Sequence, residues 1–394
     1  MNKQLQSEHL QSEHLQNGHL QNGQIPDGQI PDGQPDSRQE DLKIGNITIA
    51  GRAFLAPMAG ITDAPFRAVA ERFGAGLVVS EMIASATLAT GMEEMKRKLK
   101  PSGKLPHIVQ LAGNEDRWMI LGAKMAADSG ADIIDINLGC PSKKVTNGYA
   151  GSALMRVPDK ALRLIEAVIG AVDLPVSVKM RLGWNDQQMN APQIAKLAES
   201  AGVQMLAVHG RTRQQFYKGK ARWRPVLDVV KAVKIPVVVN GDIVDLDSAA
   251  MALDQSKAAA VMIGRAAQGQ PWIVGQINAG LINKTCNNSA MVKTPVAEEL
   301  VALVVEHYQA MLGAYGVELG GRVARKHLRW YLQMAGVEDL HIRQSRLLTQ
   351  IDPDVVIASI RGILLQNSSI TRAERTNAAR TSAERTSAER TSVA

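Results

Sequence analysis

The sequence predicts an α/β protein: a (β/α)8 barrel of the TIM type, followed by a four-helix segment, with low-complexity tails at both ends. Three observations predict it. Eight short, β-branched apolar runs lie in series along the middle of the chain, amphipathic stretches fall between them, and after Cys286 the pattern becomes helical throughout. Continuous apolar strands alternating with helices mark parallel βα units buried on both faces, and eight of them close a barrel. An open doubly wound sheet is the competing architecture. It would carry a G-x-G-x-x-G turn after its first strand, where this chain has Ala59-Gly60-Ile61-Thr62-Asp63.

Residues 1–41 repeat a five-residue unit (QSEHL, QSEHL, QNGHL), as do residues 371–394 (TSAER and variants). Such repeats leave too few apolar residues to bury, so both ends are expected to be disordered tails. His9, His14 and His19 recur through the repeat itself; that period scatters them around a helix, and no metal site is expected. The front tail holds two basic and seven acidic residues, net −5, and the back tail five Arg and three Glu, net +2. The overall +7 therefore conceals +10 on residues 42–370, an excess that attracts polyanions.

The eight expected strands are Phe54–Met58, Leu77–Ser80, His107–Leu111, Asp132–Asn137, Val176–Met180, Met205–His209, Val237–Asn240 and Val261–Gly264, with helices such as Asp159–Val172 and Ala191–Ala201 between them. The barrel is expected to occupy 42–286 and the helical segment 295–366. Its expected helices are Pro295–Ala314, Leu319–Ala335, Asp339–Gln350 and Asp352–Gln366, punctuated by Gly and Pro. No run of eighteen apolar residues suggests a membrane span, and the polar N-terminus argues against a secretory signal. Two cysteines in 394 residues fit a reducing cytoplasm.

A barrel of this kind builds its site at the carboxyl ends of its strands. Those ends carry Ala56-Pro57-Met58-Ala59, Gln110, Asn137-Leu138-Gly139-Cys140-Pro141, Lys179-Met180-Arg181, His209-Gly210-Arg211, Asn240-Gly241-Asp242 and Ile263-Gly264-Arg265. The last two ends suit a phosphate, because glycine admits close backbone approach and Arg265 adds charge. Lys179 interrupts an apolar strand, which is costly unless it meets an anion or an electron-rich ring such as the pyrimidine edge of a reduced flavin. Gln110 both donates and accepts, as that edge requires. Cys286 fits inert packing, whereas Cys140 follows a strand in a Gly-Cys-Pro turn. An ordinary thiol titrates near ~8.5, so at neutral pH it is a proton donor without tuning. No Ser-His-Asp set, metal-ligand spacing or carboxylate pair competes.

Together these motifs resemble the tRNA-dihydrouridine synthases, specifically the bacterial B-type branch, over roughly residues 44–366. The likeness rests on Leu55–Asp63, Asn137–Val145, Gly151–Leu154, His209–Arg213, Asn240–Ile243 and Ile263–Gly269, of which Asn-x-Gly-Cys-Pro is the most specific. The resemblance implies FMN across the barrel mouth and NADPH as reductant. It places Pro57, Met58 and Ala59 along the flavin, Gln110 and Lys179 at its ring and His209 beside it. Asn240, Gly241, Asp242, Gly264 and Arg265 fall at its phosphate end. It makes Cys140 the proton donor and gives Asn137 and Arg181 to the uracil. The implied reaction reduces a D-loop uridine, position 17 by the B-type likeness, with tRNA as the partner and no stable protein partner implied. One departure is Arg222, where the family has an acidic residue.

Two features point to RNA independently. Arg211–Arg224 interleaves six basic residues, Arg211 and Arg213 among them, with Phe216, Tyr217 and Trp223. Arg322, Arg325, Lys326 and Arg329 form one helical stripe with no acidic residue on it, beside a buried face of Val323, His327, Trp330 and Met334. Neutralising about five phosphates would give a salt slope of roughly −3.5 to −4.5. Two other functions compete: a flavin barrel acting on a small metabolite, which would not need the helical segment, and a non-catalytic flavin-binding RNA chaperone, which would not need Cys140, Lys179 and His209.

Overall fold

The computed structural model describes residues 42–286 and 292–367. The repeat tails, the three histidines of the front repeat, residues 287–291 of the polar bridge and the Cys286 side chain lie outside the described residues.

The strands are β1 (Leu42–Ile44), β2 (Ile47–Ile49), β3 (Ala53–Leu55), β4 (Leu77–Val78), β5 (Ile83–Ala84), β6 (Ile108–Ala112), β7 (Ile133–Leu138), β8 (Val176–Arg181), β9 (Met205–His209), β10 (Val237–Asn240) and β11 (Ala260–Ile263). Nine of them form one parallel sheet in the order β4-β3-β11-β10-β9-β8-β7-β6-β5. A bridge between Val79 and Ile108, with Ser80 N–H donating to Ile108 C=O at 3.0 Å, joins β4 to β6 and closes the barrel. All eight expected strands are present, with bounds shifted by up to three residues.

Side-chain alternation along these strands explains both the core and the site. In β7, Ile134, Ile136 and Leu138 turn outward against the helices, while Ile133, Asp135 and Asn137 turn inward. In β8, Val176, Val178 and Met180 face outward, leaving Ser177, Lys179 and Arg181 inside. The same parity runs through β6, β9 and β10. The inner layer at the amino-terminal end is apolar: Phe54, Ile108, Ile133, Met205, Val238 and Ala260. Polar groups therefore concentrate at the carboxyl end.

The antiparallel hairpin β1–β2 is an addition that the strand pattern does not foretell. Its Ile44 and Ile49 are buried against that inner apolar layer and cover it. Its turn needs Gly45, whose φ is +61°.

The helical segment packs Val301, Val304, Tyr308, Leu328, Tyr331 and Leu332 together with Val69 and Trp272 of the barrel. Its first helix is Glu298–Tyr315, three residues later than expected at its start, and its second is Val317–Met334. The expected third helix is broken: Asp339–Gln344 is helical, Arg346 adopts φ +53°, and Leu347–Thr349 is a separate 3-10 turn. That break tucks Leu347 into the core beside Ile342. Residues 353–367 form the last helix.

The buried face of Val317–Met334 also differs from the expected one. Ala324, His327, Leu328, Tyr331 and Leu332 are buried, Val323 and Trp330 are half-buried, and Met334 is 48% exposed. Gly320 lets this helix approach Glu298–Tyr315 closely, since a Cβ there would lie 2.7 Å from the Met311 carbonyl oxygen, and Ala324, Leu328 and Leu332 follow it at four-residue steps. No helix among the described residues is long and apolar enough to cross a membrane.

Candidate active site

A cavity of about 750 Å³ opens at the carboxyl end of the barrel, within the range of ligand sites. Its lining brings together Pro57, Met58, Ala59, Gln110, Asn137, Cys140, Lys179, Arg181, His209, Asn240, Gly241, Asp242, Gly264 and Arg265. These are fourteen of the expected site residues, gathered from seven strand ends.

On one side a hydrogen-bond relay rises from the core to Cys140. Buried Asp135 accepts from Ser177 Oγ (2.7 Å) and from Gln110 Nε2 (2.6 Å). A carboxylate only accepts, so the Gln110 amide is oriented, and its Oε1 accepts from Asn137 Nδ2 at 2.7 Å. Asn137 Oδ1 is then left to accept from the backbone N–H of Gly139 (3.1 Å) and of Cys140 (2.9 Å). Ser152 holds the other side of the turn, donating Oγ–H to the Cys140 carbonyl at 2.8 Å. Asn137, expected at the uracil, thus also builds the cysteine turn. Burial pushes the Asp135 carboxyl up from its ordinary range against the pull of its two donors. Sequence reading missed Asp135 and Ser177; their parity with Asn137 and Lys179 was the available signal.

On the strands that follow, Asn240 is the hub. Its Nδ2 donates to the Met262 carbonyl, which leaves Oδ1 to accept from Lys179 Nζ (3.1 Å) and from His209 Nδ1 (2.9 Å). His209 Nε2 faces Arg211 Nη1 at 3.4 Å and is the acceptor of that pair. Burial, then the charges of Arg181, Lys179 and Arg211, hold the imidazole well below its ordinary value, so it is neutral. Burial, with Arg181 adding, pushes the Lys179 ammonium down to about 8. Arg181 is buried too, donating to the carbonyls of Gly139, Thr212 and Phe216.

Gly241 is required where it stands. Its φ is +117°, and a Cβ there would lie 2.9 Å from Ala221 Cβ. Trp223 Nε1 donates to its carbonyl at 2.8 Å. Asp242 does not reach out to an anion; it pairs with Arg211 and Arg265 and accepts from Ala221 N–H.

Several expected surface residues sit elsewhere. Arg211 is 2% exposed and braces Asp242 and the carbonyls of Lys218 and Gly219. Trp223 packs against the core instead of offering a free ring. Arg222 pairs with Asp186, so its charge is compensated, while its backbone N–H bonds the Gly210 carbonyl at 2.7 Å. Arg213 is half-buried and Tyr217 is 53% exposed at the cavity mouth.

The helical stripe is also not free of acids. Arg329 pairs with Asp339 and Arg322 with Glu318. Arg325 is exposed and Lys326 lies beside Gly60, which belongs to the loop between Met58 and Asp63. That loop is pinned by Glu81, which accepts from Gly60 N–H, and by Asp63, which caps the helix Ala64–Arg72 and accepts from Tyr315 Oη at 3.0 Å. Burial pushes the Asp63 carboxyl up to about 6. The helical segment thus touches the loop that walls the cavity. Among the described residues no three His, Cys, Asp or Glu side chains gather as metal ligands.

Comparisons with known proteins agree on one family. The family model described as Dihydrouridine synthase (Dus) matches residues 54–354. A protein of Rhodobacter capsulatus named "Probable tRNA-dihydrouridine synthase" is 52% identical over 322 residues, covering 81% of this chain and 97% of that one. Another of the same name from Rhizobium leguminosarum is 49% identical, covering 80% and 95%. The "tRNA-dihydrouridine synthase B" of Vibrio vulnificus is 44% identical, covering 74% and 89%.

Proposed function

Since the chain belongs to the dihydrouridine synthase family, we propose that it is a tRNA-dihydrouridine synthase, a CH–CH oxidoreductase that reduces one D-loop uridine of tRNA to 5,6-dihydrouridine with FMN as cofactor and NADPH as reductant. The observation that carries this reading is that Cys140, Lys179, His209 and Asn240 line one cavity, the last three joined by hydrogen bonds. By its B-type likeness the uridine is position 17, and these substrates put the enzyme in the cytoplasm.

The residues present fit an FMN. The Lys179 ammonium has one hydrogen-bond acceptor, Asn240 Oδ1, and its depressed pKa reports a buried charge short of anionic company. Ala56, Pro57, Met58 and Ile61 give an apolar wall for a planar ring. A Cβ built on Gly264 would meet only ordinary contacts, so backbone approach there is open, and Arg265 is exposed beside it for the phosphate end. When bound and reduced, FMN supplies the hydride for C6 of the uracil.

The chain's own residues do the rest. Cys140 holds the proton that goes to C5, on the turn that Asn137 and Ser152 fix. Neutral His209 donates from Nδ1 to Asn240, and so keeps Asn240 Oδ1 aimed at Lys179. Arg181, tied to the Gly139 carbonyl, stands beside the cysteine turn where the uracil enters. The base leaves its stack to reach this depth.

In cells lacking the gene, dihydrouridine should vanish from one D-loop position of tRNA and return with the wild-type gene. Nucleoside analysis showing unchanged dihydrouridine at every position would refute the activity. A pH test addresses the cofactor site. Lys179 favours an anion only while protonated, so FMN affinity should fall as pH rises past about 8. The fall should reach up to about tenfold per pH unit, and Lys179→Met should remove it. Titration of FMN fluorescence quenching reads both.

A further inference from the structure

The loops that follow β7, β8 and β9 carry a cation cluster of which only Arg213 has been given a role above. Trp184, after β8, has the Arg156 guanidinium 4.9 Å and the Arg213 guanidinium 4.7 Å from its ring centroid, and Arg213 also lies 4.8 Å from the centroid of Phe216. Three other arginines around the mouth are matched by carboxylates, Arg211 and Arg265 by Asp242 and Arg222 by Asp186, and buried Arg181 by backbone carbonyls. Among the described residues neither Arg156 nor Arg213 has a carboxylate within salt-bridge distance. Arg213 has a long contact to Thr146 Oγ1 at 3.4 Å, and its Nε is buried without a partner.

Two guanidinium groups on one indole with no carboxylate leave positive charge that cation–π attraction does not neutralise. Such an arrangement is suited to anionic groups of a ligand. Guanidinium forks fit phosphate oxygens, and the indole preorganises them. The cluster sits at the same end of the barrel as Cys140, on the loops bordering its turn, where a strand that delivers one base into the cavity must run. We propose that Arg156 and Arg213, positioned by Trp184, bind backbone phosphates of the RNA strand flanking the target nucleotide. The inference rests on the RNA reading above and adds Arg156 and Trp184 to the binding surface.

The test is tRNA affinity of the FMN-loaded protein as a function of potassium chloride concentration. Removing one phosphate-binding charge should make the log–log slope shallower by about 0.7–0.9. Arg156→Ala should show one such step and the Arg156→Ala/Arg213→Ala double variant two, whereas Arg156→Lys should keep the wild-type slope. Flavin absorbance and circular dichroism confirm that each variant is folded, and exposed Arg156 can be replaced without disturbing the core. A folded Arg156→Ala protein with the wild-type slope and affinity overturns the proposal, as does a slope reduced equally in Arg156→Lys. If the wild-type protein fails to bind tRNA at all, the RNA reading itself falls; weakening confined to the arginine variants supports both.

Discussion

Replacing Cys140 with alanine is expected to slow dihydrouridine formation by about 10²–10⁴-fold, the usual contribution of a positioned general acid. In free energy this is ~3–5 kcal/mol of transition-state stabilisation. The turn itself should survive. Asn137 Oδ1 accepts from the backbone N–H of Gly139 and Cys140, and Ser152 donates to the Cys140 carbonyl, so no bond that shapes the turn uses the thiol. The variant should therefore hold FMN and tRNA as the wild type does and lose only the proton. Single-turnover reduction of tRNA by the prereduced protein separates these cases. A rate that falls with unchanged tRNA affinity assigns the proton to Cys140; an unchanged rate removes it from the reaction.

Much of the barrel was legible because parallel strands buried on both faces read as unbroken apolar runs, and the polar residues that break them fall at inward positions. Gln110, Asn137, Lys179, His209 and Asn240 stood out for that reason. Asp135 did not, since it lies mid-strand and its purpose is visible only through Gln110, which is contributed by the neighbouring strand. The hairpin Leu42–Ile49 was invisible because just two of its residues, Ile44 and Ile49, are fully buried, too few to set a period.

Charge was the least legible property. Basic residues were counted as a surface, yet their partners arrive from distant segments: Asp242 for Arg211, Asp186 for Arg222, Asp339 for Arg329. The same folding that neutralises those three leaves Arg156 and Arg213 unmatched. A sequence count gives the charge of the domain, while contacts between strand-end loops decide which charges remain for a ligand.

Arg211→Ala should produce the largest loss of stability among the site variants. The guanidinium is 2% exposed and ties Asp242 to the carbonyls of Lys218 and Gly219, so it fastens the loop after β9 to the end of β10. Removing one partner of a buried pair costs about 3–5 kcal/mol. The low end applies, because the Asp242 side chain keeps partial solvent and retains Arg265. At about 3 kcal/mol the melting midpoint of a folded body of this size should drop by roughly 4–5 °C. Arg211→Lys should restore little, since one ammonium cannot reach two carbonyls and a carboxylate in the fork geometry.

The pH dependence identifies the interaction. Burial tends to raise the Asp242 carboxyl, but hydrogen bonds from Arg211 and the Ala221 N–H, with the charges of Arg211 and Arg265, outweigh it and hold the group below its ordinary value. A depressed carboxylate stabilises the fold above its unfolded pKa of ~3.9 and loses that contribution as pH falls through the folded value. The stability gap between wild type and Arg211→Ala should therefore be widest near neutrality and narrow below about pH 4. Melting both proteins across that range reads it directly. A gap that is absent at neutral pH denies the brace, and one that stays constant into acid assigns it to the backbone carbonyls instead of Asp242.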